Sequence, residues 1–176
     1  MEPIVPRLQQ LRRSLVDHPD GSSTPVFATS PHGAPNHVLI NEYQPGQGIM
    51  PHEDGAAYFP LVATVSLGGP LVLDLYEKTV EGKREAHPRY RILQEARSLL
   101  ITTDEMYTAH LHGIADIVVD EHLGPSTIAN WDQLGNATIF GRGKLERVTR
   151  TSLTYRDVRK VSNLGSKLNL LSKSKR

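Results

Sequence analysis

A histidine and an aspartate two residues apart on a strand point to the same face and can hold one metal ion together. The chain has this spacing twice, at His18-Pro19-Asp20 and at His52-Glu53-Asp54. With eight histidines and nine aspartates in 176 residues, chance alone supplies about 0.4 such pairs, so context must separate them. His18 stands at a turn with a proline inside the pair, which favours a structural role. His52 ends an apolar strand pattern, with Gly55 directly after Asp54. A third ligand would come from His110 or His112 in Ala109-His-Leu-His-Gly113, and their spacing of two leaves the choice between them open. Two imidazoles and one carboxylate leave coordination positions free, which is the donor set of iron(II) oxygenases that bind a co-substrate and oxygen. The chain has no cysteine, which excludes disulfides, thiolate zinc sites, iron–sulfur clusters and cysteine nucleophiles.

The co-substrate of that chemistry is a small dicarboxylate and needs a basic anchor. Arg150 and Arg156 lie six apart in Arg-Thr-Ser-Leu-Thr-Tyr-Arg, on one face of a final strand. Arginine can grip a carboxylate with two parallel hydrogen bonds, which lysine cannot.

These residues need a scaffold. At 176 residues and 19.5 kDa, with 38% apolar and 22% charged residues, the chain suits one globular domain. Ile4, Leu8, Leu11 and Leu15 fall at helical spacing, so the pattern predicts a short amphipathic helix over 4–17. His18-Pro-Asp-Gly21 ends it, and a proline-rich loop runs over 19–36. Short strands punctuated by Gly and Pro follow at His37–Tyr43, Ile49–His52, Val62–Leu67, Leu71–Glu77, Arg89–Gln94, Ser98–Thr102, Ala109–Ile114 and Val148–Tyr155. No convincing helix separates them. The expected fold is an all-β core, a jelly roll, sandwich or barrel. Residues 78–88 look like a charged hairpin connection. Residues 115–146, with the single tryptophan Trp131, form an insertion of a length that is uncommon unless it is functional or disordered.

The net charge is +1, too small to steer the whole molecule to nucleic acid. The charge is nevertheless split. Arg147 to Arg176 carry nine basic residues and one acidic, a local +8, and the rest of the chain carries −7. A basic tail over 161–176 reads as a solvated face or as a phosphate-contacting or nuclear-targeting segment. No apolar run is long enough to span a membrane and no signal-peptide pattern is present, so a cytoplasmic or nuclear location is expected.

Taken in order, Asn41-x-Tyr43-x-Pro45-Gly46, Pro51-His52-x-Asp54-Gly55, Leu111-His112-Gly113-Ile114 and Arg150-x5-Arg156 resemble the AlkB family of iron(II)/2-oxoglutarate dioxygenases, over about residues 36–160. The resemblance implies a double-stranded β-helix (jelly-roll) domain over 37–160, preceded by the N-terminal helix and loop of 1–36. It implies His52, Asp54 and His112 as iron ligands, with His110 a neighbour. It also implies Arg150 as the salt-bridge partner of the distal 2-oxoglutarate carboxylate, with Asn41, Tyr43 and Arg156 hydrogen-bonding the co-substrate. Ser152 stands where the bacterial member has Asn and retains a shorter hydrogen-bonding reach. The implied reaction consumes oxygen and 2-oxoglutarate, releases succinate and CO2, and hydroxylates or demethylates an alkylated substrate, DNA or RNA by default. The implied protein is a monomer without membrane association. Family members begin several dozen residues earlier, with strands and a lid over the target base, so weak coupling to substrate is expected. Tyr58 and Phe59 are the remaining candidates for substrate contact. The rival reading is a cupin-like metal-binding module or inactive relative, in which His52, Asp54, His110 and His112 close around zinc.

Overall fold

Period-two patterning rich in Val, Ile, Leu, Thr and Tyr makes strands the main regular structure of the described residues. A computed structural model describes residues 15–17, 23–79 and 84–161. Strands β1 (Leu15–Asp17) and β2 (Ser23–Pro25) form a small antiparallel pair. The expected helix over 4–17 is therefore corrected at its end, where residues 15–17 are extended. Its first part, the His18–Asp20 pair and the basic tail from 162 onward lie outside the described residues.

Eight strands form two four-stranded antiparallel sheets. The first has the order β3 (His37–Tyr43), β12 (Arg150–Val158), β5 (Tyr58–Gly68), β8 (Leu99–Thr103). The second has the order β4 (Ile49–His52), β9 (His110–Ile114), β6 (Leu71–Glu77), β7 (Tyr90–Gln94). Strands near in sequence are thus dealt between facing sheets, which is the jelly-roll arrangement. The β5–β6 turn needs glycine: Gly68 has φ +77°, and a Cβ there would sit 2.5 Å from the Thr149 carbonyl oxygen. A five-residue helix α1 (Asp104–Thr108) joins β8 to β9, with Asp104 and Glu105 in its first turn, where the helix dipole favours acids. This turn departs from the helix-free expectation.

Each sheet has two apolar faces, so the fold needs three cores. Between the sheets lie Leu71, Leu73, Leu75 and Ile114. The outer face of the first sheet presents Leu61, Ala63 and Tyr155 to Val26 and Phe27 of the proline-rich segment. The outer face of the second sheet presents Val72 and Leu93 to Leu123, Ile128 and Phe140 of the 115–146 insertion, with Trp131 packed alongside. Burying side chains of this size contributes about 1.5–3 kcal/mol each. The insertion is therefore a structural layer. It contains a β10 (Val119–Glu121)/β11 (Lys144–Glu146) hairpin and two 3-10 turns, Trp131–Gln133 and Ala137–Phe140.

Asp120 and Arg147 fasten this layer through paired hydrogen bonds of 2.8 Å from Nε and Nη2 to the two carboxylate oxygens, with both side chains buried. Removing one partner of such a pair leaves the other charge uncompensated. Arg147→Ala should lower stability in urea denaturation by about 3–5 kcal/mol, and the double change Asp120→Leu/Arg147→Met should recover most of the loss.

Candidate active site

Alternation on β12 turns Arg150, Ser152, Thr154 and Arg156 inward, while Leu153 and Tyr155 pack on the outer core. The inward face of β3 adds Asn41 and Tyr43, paired in register with Ser152 and Arg150. The facing sheet contributes His52 and His112, which are register partners across β4 and β9. One cavity between the sheets is lined by all eight residues picked out in the sequence: Asn41, Tyr43, His52, Asp54, His112, Arg150, Ser152 and Arg156. Most polar lining groups come from the first sheet, and Ile49, Leu73, Leu100 and Ile114 are among the apolar ones.

At one end the two imidazole rings lie 4.5 Å apart. Gly113 permits this approach, because a Cβ there would meet Pro51 at 2.9 Å. The Nδ1 of His52 lies 2.8 Å from the Met50 carbonyl, which can only accept, so Nδ1 carries the proton and Nε2 the lone pair. Burial depresses the His112 pKa, with His52 and Arg156 adding to the effect and Asp54 opposing it. Burial thus favours the neutral form of His112, the form in which an imidazole binds a metal. Asp54 follows on the loop after β4, which α1 ties down: the Tyr107 hydroxyl donates to the Gly55 carbonyl at 2.9 Å, and Lys78 bridges Glu53 at 2.9 Å and the Thr108 carbonyl at 2.7 Å. One Asp54 oxygen is held by Arg156, and the other lies 3.9 Å from His112 Nε2.

Among the described residues, no three His, Asp or Glu side chains already close around a common point. The donor types at this end, two imidazoles and a carboxylate without thiolate, are nevertheless those that suit iron(II). His110 is placed apart from it. Its Nδ1 donates to the Glu105 carbonyl at 3.0 Å, and its Nε2 is buried without a partner.

At the other end is Arg150, 3% exposed. Its Nη2 donates to Ser66 Oγ at 2.9 Å and to Gln94 Oε1, and its guanidinium carbon lies 5.8 Å from the centre of the Tyr43 ring. All these partners are neutral. Among the described residues no carboxylate pairs with Arg150, and burial pushes its pKa down to about 10. Burial likewise raises the Tyr43 pKa against the opposing effects of Arg150 and Asn41. A buried guanidinium without an anion, facing a cavity, is an anion receptor in both charge and geometry.

Ser66 and Gln94 escaped the sequence analysis. Their signal is polarity in phase with inward apolar neighbours, as Gln94 follows Tyr90 and Ile92 at steps of two. Of the two candidates for substrate contact, Phe59 packs on the outer core and Tyr58 lies beneath Arg156, with 4.8 Å between its ring centre and the guanidinium carbon.

No protein-family model matches the chain. It is 41% identical over 135 residues to the zebrafish protein named probable RNA/DNA demethylase ALKBH6, covering 72% of this chain and 54% of that one. A tRNA (carboxymethyluridine(34)-5-O)-methyltransferase, alkbh8 of Xenopus tropicalis, is 34% identical over 134 residues, 71% of this chain and 19% of that protein. The uncharacterized protein L905 of Acanthamoeba polyphaga mimivirus is 30% identical over 126 residues, 70% of this chain and 49% of its own length. The solved structure of OsALKBH1 superposes with a TM-score of 0.44 at 20% identity, covering 89% of this chain and 61% of that one. The chain spans about half the length of the zebrafish and mimivirus proteins. With this identity to an ALKBH protein, and with the family's motif residues gathered around one cavity, the chain belongs to the AlkB family.

Proposed function

We propose that this chain is the core of an iron(II)/2-oxoglutarate-dependent dioxygenase that oxidises N-alkyl groups on nucleic acid. The observation that carries the reading is the buried Arg150 guanidinium, satisfied among the described residues by neutral groups, at the opposite end of one cavity from His52, Asp54 and His112. A closed zinc site has no use for such an anchor. Family membership and the activities for which the zebrafish and Xenopus relatives are named, RNA/DNA demethylase and tRNA methyltransferase, support nucleic acid as the substrate class.

In this reading His52, Asp54 and His112 hold the metal. When bound, iron(II) with 2-oxoglutarate and oxygen supplies the oxidising power that hydroxylates a C–H bond, and an N-methyl group so hydroxylated leaves as formaldehyde. The chain's own residues prepare that chemistry. The Met50 carbonyl orients His52 with its lone pair available. Arg156 grips one Asp54 oxygen and limits the rotation of the carboxylate. Arg150 receives the distal carboxylate of the co-substrate while Ser66 and Gln94 keep the guanidinium fixed, so little side-chain entropy is lost on binding. Tyr43, Asn41 and Ser152 offer further hydrogen bonds along the same wall. Leu73 and Ile114 of the facing sheet, with Leu100 at the edge of the first, limit water here, which strengthens each of these electrostatic contacts.

Three outcomes test this reading. His52→Ala, Asp54→Ala and His112→Ala should each abolish tight iron(II) binding in anaerobic titrations, while His110→Ala should largely spare it; equal loss from His110→Ala would show that the ligand set is misassigned. Arg150→Lys keeps the charge but loses the fork, so 2-oxoglutarate binding measured calorimetrically should weaken by about 1.5–3 kcal/mol with iron affinity little changed. Succinate and formaldehyde should be measured in parallel, with and without methylated oligonucleotides. Iron-dependent succinate release supports the oxygenase, matching formaldehyde supports the nucleic-acid substrate, and no succinate from the iron-loaded protein removes the reading.

A further inference from the structure

Two asparagines outside the cavity act as substitute strands, each beside a residue that controls one end of the site. Beyond Arg156 the β12 ladder loses regular partners. On one side β3 begins at His37, opposite Arg156, and on the other the register with β5 shifts between Arg156 and Val158. Pro60 lies in the shifted stretch of β5 and has no N–H to give. Asn36 fills the gap. Its backbone N–H donates to the Arg156 carbonyl at 3.1 Å, its Oδ1 accepts from the Val158 N–H at 2.7 Å, and its Nδ2 donates to the Val158 carbonyl at 3.1 Å. The intervening Asp157, fully buried, accepts from the His32 N–H at 3.0 Å and pairs with His32 Nδ1 at 2.6 Å. The strand end bearing Arg156 is thus clamped from outside by the 32–36 turn, and Arg156 in turn holds Asp54.

The second clamp lies at the free edge of β7, the last strand of its sheet. Asn130, in the insertion, accepts from the Leu93 N–H through Oδ1 and donates from Nδ2 to the Leu93 carbonyl, both at 2.9 Å. The backbone continues the pairing, with the Ala129 N–H donating to the Arg91 carbonyl at 2.9 Å. The next residue along β7 is Gln94, which accepts from both Ser66 and Arg150.

We infer that Asn36 and Asn130 are positioning residues with separable duties: Asn36, through Arg156 and Asp54, sets the metal end of the cavity, and Asn130, through Gln94 and Arg150, sets the anion end. The inference rests on the functional reading above. It assigns to the 32–36 turn and the insertion a part in the chemistry that neither approaches.

The test is a crossed comparison. Mn(II) binding to the metal-free protein is followed by electron paramagnetic resonance, and 2-oxoglutarate binding in EDTA by calorimetry, for the unaltered chain, Asn36→Ala and Asn130→Ala, with melting temperatures recorded alongside. Asn36→Ala should weaken Mn(II) binding about tenfold, as loss of outer support of a ligand does, and leave 2-oxoglutarate binding unchanged. Asn130→Ala should weaken 2-oxoglutarate binding about fivefold, the worth of one hydrogen bond, and leave Mn(II) binding unchanged. Asn36→Gln and Asn130→Gln keep the amide at the wrong reach and should behave like the alanine variants. Parallel loss of both ligands in step with melting temperature, or no loss of either, would overturn the inference. If a variant is too unstable to purify, Asp157→Asn replaces Asn36→Ala and Asn130→Asp replaces Asn130→Ala, with the same crossed result required. No binding of either ligand by the unaltered chain would remove the functional reading itself, and the positioning roles with it.

Discussion

Burying a guanidinium without a carboxylate costs more than a surface contact returns, and among the described residues this is the situation of Arg150. Ser66, Gln94 and Tyr43 orient the group without neutralising it. Ser66 and Arg150 lie on adjacent strands of the first sheet, whereas Gln94 comes from the edge of the second. The anchor therefore exists only when both sheets face each other at the right separation. That separation is set by the leucines between the sheets and held from outside by two further apolar layers.

The metal end obeys a different constraint. His52 and His112 meet because β4 and β9 pair at those residues and Gly113 lets them approach. Asp54 is not on a strand, and its position depends on Arg156, on the ties from α1 to the loop and on the clamp at the end of β12. The two ends share one cavity but draw on separate supports. This division explains how a domain of two thin sheets can hold a buried guanidinium at one end and two imidazoles and a carboxylate at the other without collapsing one onto the other.

Much of this was legible in the sequence. Strands β3, β4 and β6 have the bounds that alternation predicts, because each is short, regular and bounded by Gly, Pro or charge. The eight residues that line the cavity stood in the sequence as the ordered motifs of a family resemblance, and alternation alone showed only that Arg150 and Arg156 share a face. What alternation could not show was long-range. Gln94 gains its role only when β7 lies across from β12. The 115–146 segment lacks periodicity because it packs through separated side chains, Leu123, Ile128 and Phe140, onto a face already made elsewhere. Residues 15–17 have helical spacing, but tertiary pairing with 23–25 makes them extended. Asn36 and Asn130 resemble ordinary turn residues until the strand edges they complete are in place.

In the proposed reading Arg150 receives the distal carboxylate of 2-oxoglutarate, and His52, Asp54 and His112 at the other end of the cavity would hold the metal. The most direct measurement is the visible spectrum of the anaerobic iron(II)-loaded protein during titration with 2-oxoglutarate. The account predicts a new, saturable absorption from chelation of the metal by the keto acid. Pyruvate, which has the same chelating end but no distal carboxylate for Arg150, should produce it only at much higher concentration. No spectral change with 2-oxoglutarate, or equal affinity for pyruvate, would contradict it.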